Sequence, residues 1–113
     1  MPYSSLPILA IEVTSQQASI AWSQGDESGS IDFNNSRYIE TELSGNIKSA
    51  LAQLSEAPSL VLVGLGPGSY SGCRVAIASA ICLGLWHDCP VIGLPSTLAT
   101  PANKAEIATL IGN

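Results

Sequence analysis

The sequence predicts an α/β domain built on a mixed five-stranded sheet, with three antiparallel N-terminal strands and helices packed on it. Alternating and continuous apolar runs come first along the chain. A stretch with helical spacing follows, and two short runs rich in β-branched residues then flank a second helical stretch. This order of patterns indicates a strand meander followed by parallel β–α–β pairing.

The N-terminal part predicts an antiparallel meander. Leu6–Val13 is a nearly continuous apolar run, typical of a strand that is buried on both faces. Ala18–Ser23 alternates apolar and polar residues, as a half-buried strand does, so these two runs predict a hairpin. After a second turn at Gln24–Ser30, the stretch Ile31–Ser36 predicts a short third strand.

Helical periodicity begins at Ile39 and continues to Leu54, with Gly45 inside it. Ser96 is a candidate N-cap for a helix near the end of the chain. The remaining predicted elements are a strand that starts at Leu60, a helix over Cys73–Trp86, a strand over Val91–Leu94 and a helical segment over Ala102–Ile111.

Composition restricts the classes of function. The chain has 113 residues, of which 46% are hydrophobic, so we expect one folded domain. A net charge of -5 with four scattered Lys and Arg argues against a nucleic-acid groove of its own. Only 12% of the residues are charged, which suggests that another chain covers some apolar surface.

Neither a secreted scaffold nor a membrane protein is expected. The three cysteines lack CxxC spacing, which argues against a disulfide framework or a zinc site. No signal segment is visible, and the longest apolar run is too short to cross a bilayer. We therefore expect a cytoplasmic protein without membrane contact.

A glycine-rich loop joins the Leu60 strand to the helix that follows. It is not a Walker A loop, because Gly72 is followed by Cys73 instead of lysine. The dinucleotide pattern G-x-G-x-x-G is met at Gly66 and Gly68, but Ser71 stands in the third position. The loop therefore lacks the residues that these two phosphate motifs use.

Nucleophilic catalysis is not supported either. A nucleophile elbow requires G-x-S-x-G, whereas Ser69 has Pro67 and Ser71 two residues away on each side. His87, the single histidine, lies roughly 18 residues further along the helix, too far to act as a base for Ser69. We predict no catalytic residue and no metal site.

Two interpretations of the loop remain open from the residues alone. Backbone N–H groups at the start of a helix can hold an anion, and a basic side chain can add charge. The candidate residues for an anion or nucleotide loop are Gly66, Gly68, Ser69, Gly72 and Arg74. The alternative, which the physical chemistry favours, is that the glycines only permit the turn and that Pro67 stiffens it.

The helix Cys73–Trp86 carries a stripe of small residues at i, i+4 and i+8, namely Ala76, Ala80 and Gly84. A helix that is apolar almost all round must be covered on both sides. Either the Ile39–Leu54 helix covers the stripe, or both helices form a surface for another subunit. The predicted interface residues are Leu43, Ile47, Ala76, Ile77, Ala80, Ile81 and Gly84.

Three segments resemble one protein family. Val63–Val75 resembles the signature G-x-G-P-G-S-[FY]-[ST]-G-x-R-[IV] of the TsaB (YeaZ) family. Pro90–Leu98 is similar to its segment [IV]-P-[VI]-x-G-[VI]-S-[ST]-L, and Ile8–Ser15 is similar to its opening I-L-A-I-D-T-S. The family belongs to the actin-like ATPase (ASKHA) superfamily, so the resemblance implies a ribonuclease H-like lobe.

The resemblance implies a non-catalytic scaffold in the synthesis of threonylcarbamoyladenosine (t6A) on tRNA. TsaB proteins form homodimers or pair with the TsaD paralogue, which carries the metal and performs the transfer. A TsaE-type ATPase completes the bacterial complex, so tRNA would be met only through the complex. By position, the pairing helices here are Ile39–Leu54 and Cys73–Trp86.

Departures from the family bear on the alternative, a nucleotide-binding remnant of an actin-like ATPase lobe. The opening aspartate, which lies near phosphate and metal in actin-like enzymes, is Glu12 here, and its longer side chain would misplace such a ligand. The H-x-x-x-H of the catalytic paralogue is absent, since His87 is the single histidine. We expect one lobe over residues 1–113, without the second lobe, and no cofactor, with ATP as the less favoured alternative.

Overall fold

The computed structural model describes residues 6–14, 16–68 and 70–96, including the backbone but not the side chain of Tyr70. Within these ranges the elements are β1 (Ile8–Glu12), β2 (Gln17–Gln24), β3 (Glu27–Asn34), α1 (Ile39–Leu51), β4 (Leu60–Gly64), α2 (Tyr70–His87) and β5 (Val91–Leu94). Their order is the predicted one. The predicted segment Ala102–Ile111 and any helix capped by Ser96 lie outside the described residues.

The five strands form one mixed sheet in the order β3-β2-β1-β4-β5. The first three strands are antiparallel neighbours, while β4 runs parallel to both β1 and β5. Because β1 is central, Ile11 lies between Ile20 of β2 and Val63 of β4. The predicted α/β fold with a mixed five-stranded sheet is confirmed.

The core lies on the face of the sheet that both helices cover. Successive side chains of a strand point to opposite faces, and Leu9, Ile11 and Val13 of the β1 segment all enter the core. Residues from both α1 and α2 join the same core cluster. The sheet therefore has one helix-covered face, and Ile8 and Glu12, on the opposite face, are only half-buried.

The hairpin between β2 and β3 differs from the prediction. The turn contains only Gly25 and Asp26, and β3 begins at Glu27 instead of Ile31, because Gln24 already pairs with Glu27. Gly25 has a φ of +62°, which suits a two-residue hairpin turn. The polar sequence of early β3 resembles a turn, although it forms regular strand pairs.

The two helices also differ from their predicted bounds. α1 ends at Leu51 instead of Leu54, and the chain tightens there because the Leu54 N–H donates to the Leu51 carbonyl at 3.1 Å. α2 begins at Tyr70, three positions before the predicted start at Cys73. In the described part of the chain, neither helix is both long and apolar enough to span a membrane.

Candidate functional site

The parallel strands β1, β4 and β5 end at the same edge of the sheet. Open α/β sheets usually bind ligands in the crevice outside these carboxyl ends. Glu12 is the last residue of β1, and Gly64 is the last residue of β4. The glycine-rich loop leaves this edge from Gly64 and leads into α2, so this edge of the sheet is the candidate site.

The carboxyl group of Glu12 lies between the ends of β1 and β4. Its Oε2 atom accepts hydrogen bonds from the backbone N–H of Thr14, at 2.9 Å, and from the Thr14 hydroxyl group. Its Oε1 atom is buried and has no hydrogen-bond partner among the described residues. A Cβ atom added at Gly64 would overlap this Oε1 atom, so the carboxyl group of Glu12 fills the space above Gly64.

The loop is fastened to the end of β5. The Leu65 N–H donates to the Leu94 carbonyl at 2.8 Å, which continues the strand pairing. The Gly66 N–H donates to Ser96 Oγ at 2.8 Å, and the Ser96 N–H donates back to the Gly66 carbonyl at 3.0 Å. Gly66 adopts a φ of +95°, a conformation that favours glycine, and the peptide bond that follows it to Pro67 is cis.

The glycines of the loop face atoms of the same chain. A Cβ atom added at Gly68 would overlap the carbonyl oxygen of Thr14, and one at Gly72 would overlap that of Val13. These glycines permit close approach between the loop and the segment after β1. The geometry therefore supports the structural interpretation of the loop over an open anion cradle.

Two predicted loop residues remain, Ser69 and Arg74. Ser69 lies outside the described residues. Arg74 is exposed in the early part of α2. The thiol of Cys73 points back to the Gly64 carbonyl, with 3.9 Å between Sγ and O. Among the described residues, no group of three or more His, Cys, Asp or Glu side chains is placed to hold a metal ion.

The predicted interface needs a correction at the small-residue stripe. Ala76 and Ala80 are both 0% exposed and belong to the core. A Cβ atom at Gly84 would meet Val91 Cγ2 of β5 at 2.5 Å. The stripe therefore faces the chain's own sheet, because a helix face without bulky side chains can lie close to the strands.

The α1 residues of the predicted interface are also internal. Leu43 is 1% exposed and Ile47 is 7% exposed, and both pack in the same core. Together with the stripe, this removes Leu43, Ile47, Ala76, Ala80 and Gly84 from any surface that a partner could reach in this conformation. Ile77 is half-buried, and Ile81 remains accessible.

A different face of α2 is apolar and exposed. Ile81 is 50% exposed, Leu85 is 80% exposed and Trp86 is 84% exposed. These three residues, spaced i, i+4 and i+5, lie within about 140° of the helix circumference, and we call them the outer face of α2. The sequence-based prediction included Ile81 but missed Leu85 and Trp86, although their helical spacing from Ile81 was visible.

Cys89 follows the end of α2. Its N–H donates to the Gly84 carbonyl at 3.0 Å, and its side chain packs against the core. Burial raises the pKa of this thiol, and the neighbouring charge of Asp88 raises it further. Cys89 is therefore a packing residue without the features of a reactive nucleophile.

Comparison with known proteins identifies the fold. YeaZ from Pseudomonas aeruginosa matches with a TM-score of 0.76 and 22% identity, over 89% of this chain and 50% of that chain. A structure described as an uncharacterized protein with similarity to peptidase YEAZ from Pseudomonas aeruginosa matches with a TM-score of 0.73 and 22% identity, over 80% of this chain and 43% of that chain. No protein-family model and no curated protein sequence matches the chain.

The predicted likeness to YeaZ is thus confirmed at the level of the fold. At 22% identity, the comparison concerns the backbone arrangement. The chain spans half or less of the length of these two structures.

Proposed function

We propose that this chain is a TsaB (YeaZ)-type scaffold subunit of the machinery that makes t6A on tRNA. It would act in the cytoplasm, associate with itself or with a TsaD-type paralogue, and meet tRNA only through the complex, which a TsaE-type ATPase would complete. The observation that carries the proposal is the position of the family-like motif. Val63–Val75 lies at the β4-to-α2 junction of a YeaZ-like fold.

The packing around the motif supports a structural role for its glycine residues. The motif glycines bring the loop against the segment after β1, and α2 then turns Ala76 and Ala80 into the core. The outer face of α2 is thereby turned towards solvent. A helix that presents an apolar face is a common recognition element.

The outer face of α2 supports association with another chain. Large apolar residues that lie together on the surface are typical of interaction sites, and tryptophan is enriched among residues that dominate binding energy. Leu85 and Trp86 are the two most exposed large apolar side chains of the described residues. This face replaces the small-residue stripe as the proposed contact.

The arrangement favours a scaffold over a peptidase. His87 ends α2, while the glycine loop lies at the other end of this 18-residue helix. A helix of that length spans about 27 Å, so a catalytic pair between His87 and the loop is excluded by distance. No observation favours a second candidate function.

The test is functional replacement in cells depleted of their own TsaB. The 113-residue chain is expressed, and the t6A content of tRNA is measured by mass spectrometry. We expect the wild-type chain to restore t6A and the Trp86→Ser variant to restore less. Tyr38→Ser is the matched control, because Tyr38 is an exposed aromatic residue on a different element, at the start of α1. Folded wild-type chain that restores no t6A would contradict the proposal.

A further inference from the structure

We infer that Glu12 and Thr14 close the crevice at the carboxyl ends of β1 and β4, so that it does not admit the phosphates of a nucleotide. In this respect the crevice differs from the nucleotide site of actin-like ATPases. The resemblance to actin-like ATPases implies a phosphate and a metal near the position of Glu12. The residues present do not fit a phosphate group at this position, for three physical reasons.

The first reason is space. The Oε1 atom of Glu12 is buried against Gly64, where not even a Cβ atom could be added. Ser96 Oγ closes the same position from the side of β5, at 2.8 Å from the Cβ position of Gly64. At Gly68 the carbonyl of Thr14 takes the corresponding place. A phosphate group, which is far larger than a methyl group, has no room beside these glycines.

The second reason is the supply of hydrogen-bond donors. A phosphate site in this position uses free backbone N–H groups at the end of a strand and the start of a helix. Here the Thr14 N–H is bonded to Glu12 Oε2, the Leu65 N–H to the Leu94 carbonyl, and the Gly66 N–H to Ser96 Oγ. The chain thus supplies its own acceptors for these three donors at the ends of the strands.

The third reason is charge. Glu12 offers only acceptor oxygens when it is ionised, and a phosphate beside it would add a second negative charge at close range. The carbonyl oxygens of Val13 and Thr14 point at the loop from the same side. The crevice therefore presents acceptor oxygen atoms where an anion requires donors.

Closure by Glu12 has a test in two parts. In the first, the wild-type chain labelled with ¹⁵N is titrated with ATP and Mg²⁺ and, separately, with inorganic pyrophosphate. We expect no saturable shift of the backbone amide signals of Gly64, Gly66 and Gly68. A saturable shift of these signals with either ligand would overturn the inference, while leaving the scaffold role intact.

The second part tests whether the Glu12–Thr14 contact holds the crevice closed. Native-state hydrogen exchange of the Thr14 amide is compared in the wild-type chain and in Glu12→Ala, with Glu40→Ala, an exposed glutamate of α1, as control. We expect exchange to accelerate at least tenfold in Glu12→Ala and to stay unchanged in Glu40→Ala. Glu12→Gln keeps an acceptor oxygen and the side-chain volume, so the Thr14 amide should remain protected in this variant. Glu12→Gln provides the test if Glu12→Ala does not fold. Equal Thr14 exchange in the wild-type chain and a folded Glu12→Ala, or loss of protection in Glu12→Gln, would overturn the inference.

Discussion

Ala80 and Leu85 lie on opposite faces of α2, one fully buried against the sheet and the other 80% exposed. The helix thus turns its small residues inward and presents large apolar residues to solvent. This arrangement reverses the simple expectation for a water-exposed helix, in which the bulky apolar side chains face the core. It also determines which substitutions can report on association and which report only on folding.

Substitutions at Ala80 test the packing of α2 on the sheet. Because Ala80 is fully buried, Ala80→Leu should overpack the core and lower the free energy of unfolding by about 1–3 kcal/mol. Ala78 is exposed on the same helix, so Ala78→Leu should change stability by less than about 0.5 kcal/mol. Urea denaturation of both variants measures the difference. Equal stability of the two variants would place the stripe at the surface instead.

Two glycines offer a second matched comparison. Gly45 lies in α1 with no described atom within 4 Å of its Cβ position, so Gly45→Ala should stabilise the chain by about 0.5–1 kcal/mol through helix propensity. Gly64→Ala should destabilise it, since the new methyl group would meet Glu12 and force the carboxyl group out of its place. Thermal unfolding followed by circular dichroism should show shifts of opposite sign. A stabilised Gly64→Ala variant would mean that Glu12 does not occupy this position.

The raised pKa of the Cys89 thiol predicts slow alkylation. At mildly alkaline pH, less of Cys89 than of an ordinary thiol is in the reactive thiolate form, because burial and then the charge of Asp88 raise its pKa. Cys82 is exposed and is an internal reference. Mass spectrometry after a pulse of iodoacetamide should find Cys82 modified first, and Asp88→Asn should speed the reaction of Cys89. Faster modification of Cys89 than of Cys82 would contradict this environment.

The same thiol gives a direction for the pH dependence of stability. A thiol with a pKa raised by folding favours the folded chain fully at pH values below the pKa of the unfolded thiol. As the pH rises above that value, the unfolded chain loses its proton first, and this contribution to stability is lost. Cys89→Ala should remove this part of the alkaline loss, which denaturation at several pH values can measure.

Much of the fold could be predicted from the sequence, because its strands and α1 carry clear periodicity. Ile11 and Ile20 fall in continuous and alternating apolar runs, so their burial was expected. Leu43 and Ile47 recur at helical spacing, which predicted the helix, but they were assigned to a partner interface and are buried in the core. The short turn at Gly25 was not recognised, since the serines and the glycine that follow it have turn-like composition and only the pairing partners define them as strand.

The orientation of α2 could not be predicted in the same way. Nearly every position of the helix is apolar, so periodicity does not distinguish the inner face from the outer face. The choice depends on close approach to other elements, such as Gly84 of α2 against Val91 of β5, and the periodicity of the helix alone does not indicate these contacts. The same applies to Gly68, whose lack of a side chain accommodates Thr14 instead of a ligand.

The proposed contact through the outer face of α2 predicts the effect of surface substitutions. Leu85→Ser and Trp86→Ser should each weaken association by about 2 kcal/mol or more, roughly thirtyfold in the dissociation constant, because they remove large apolar anchors. Folding stability should change little, since both side chains are exposed. Tyr38→Ser, which removes an exposed aromatic residue elsewhere, should leave association unchanged. Sedimentation velocity of the four proteins provides the measurement.

The central claim, that this lobe works by association with another subunit, is tested most directly by its molar mass in solution. Size exclusion with multi-angle light scattering is performed on the 113-residue chain alone and after mixing with a TsaD-type paralogue. We expect a dimer in the first experiment or a joint complex in the second, with Leu85→Ser shifted towards single chains. The mass of a single chain in both experiments for the folded wild-type protein would contradict the account.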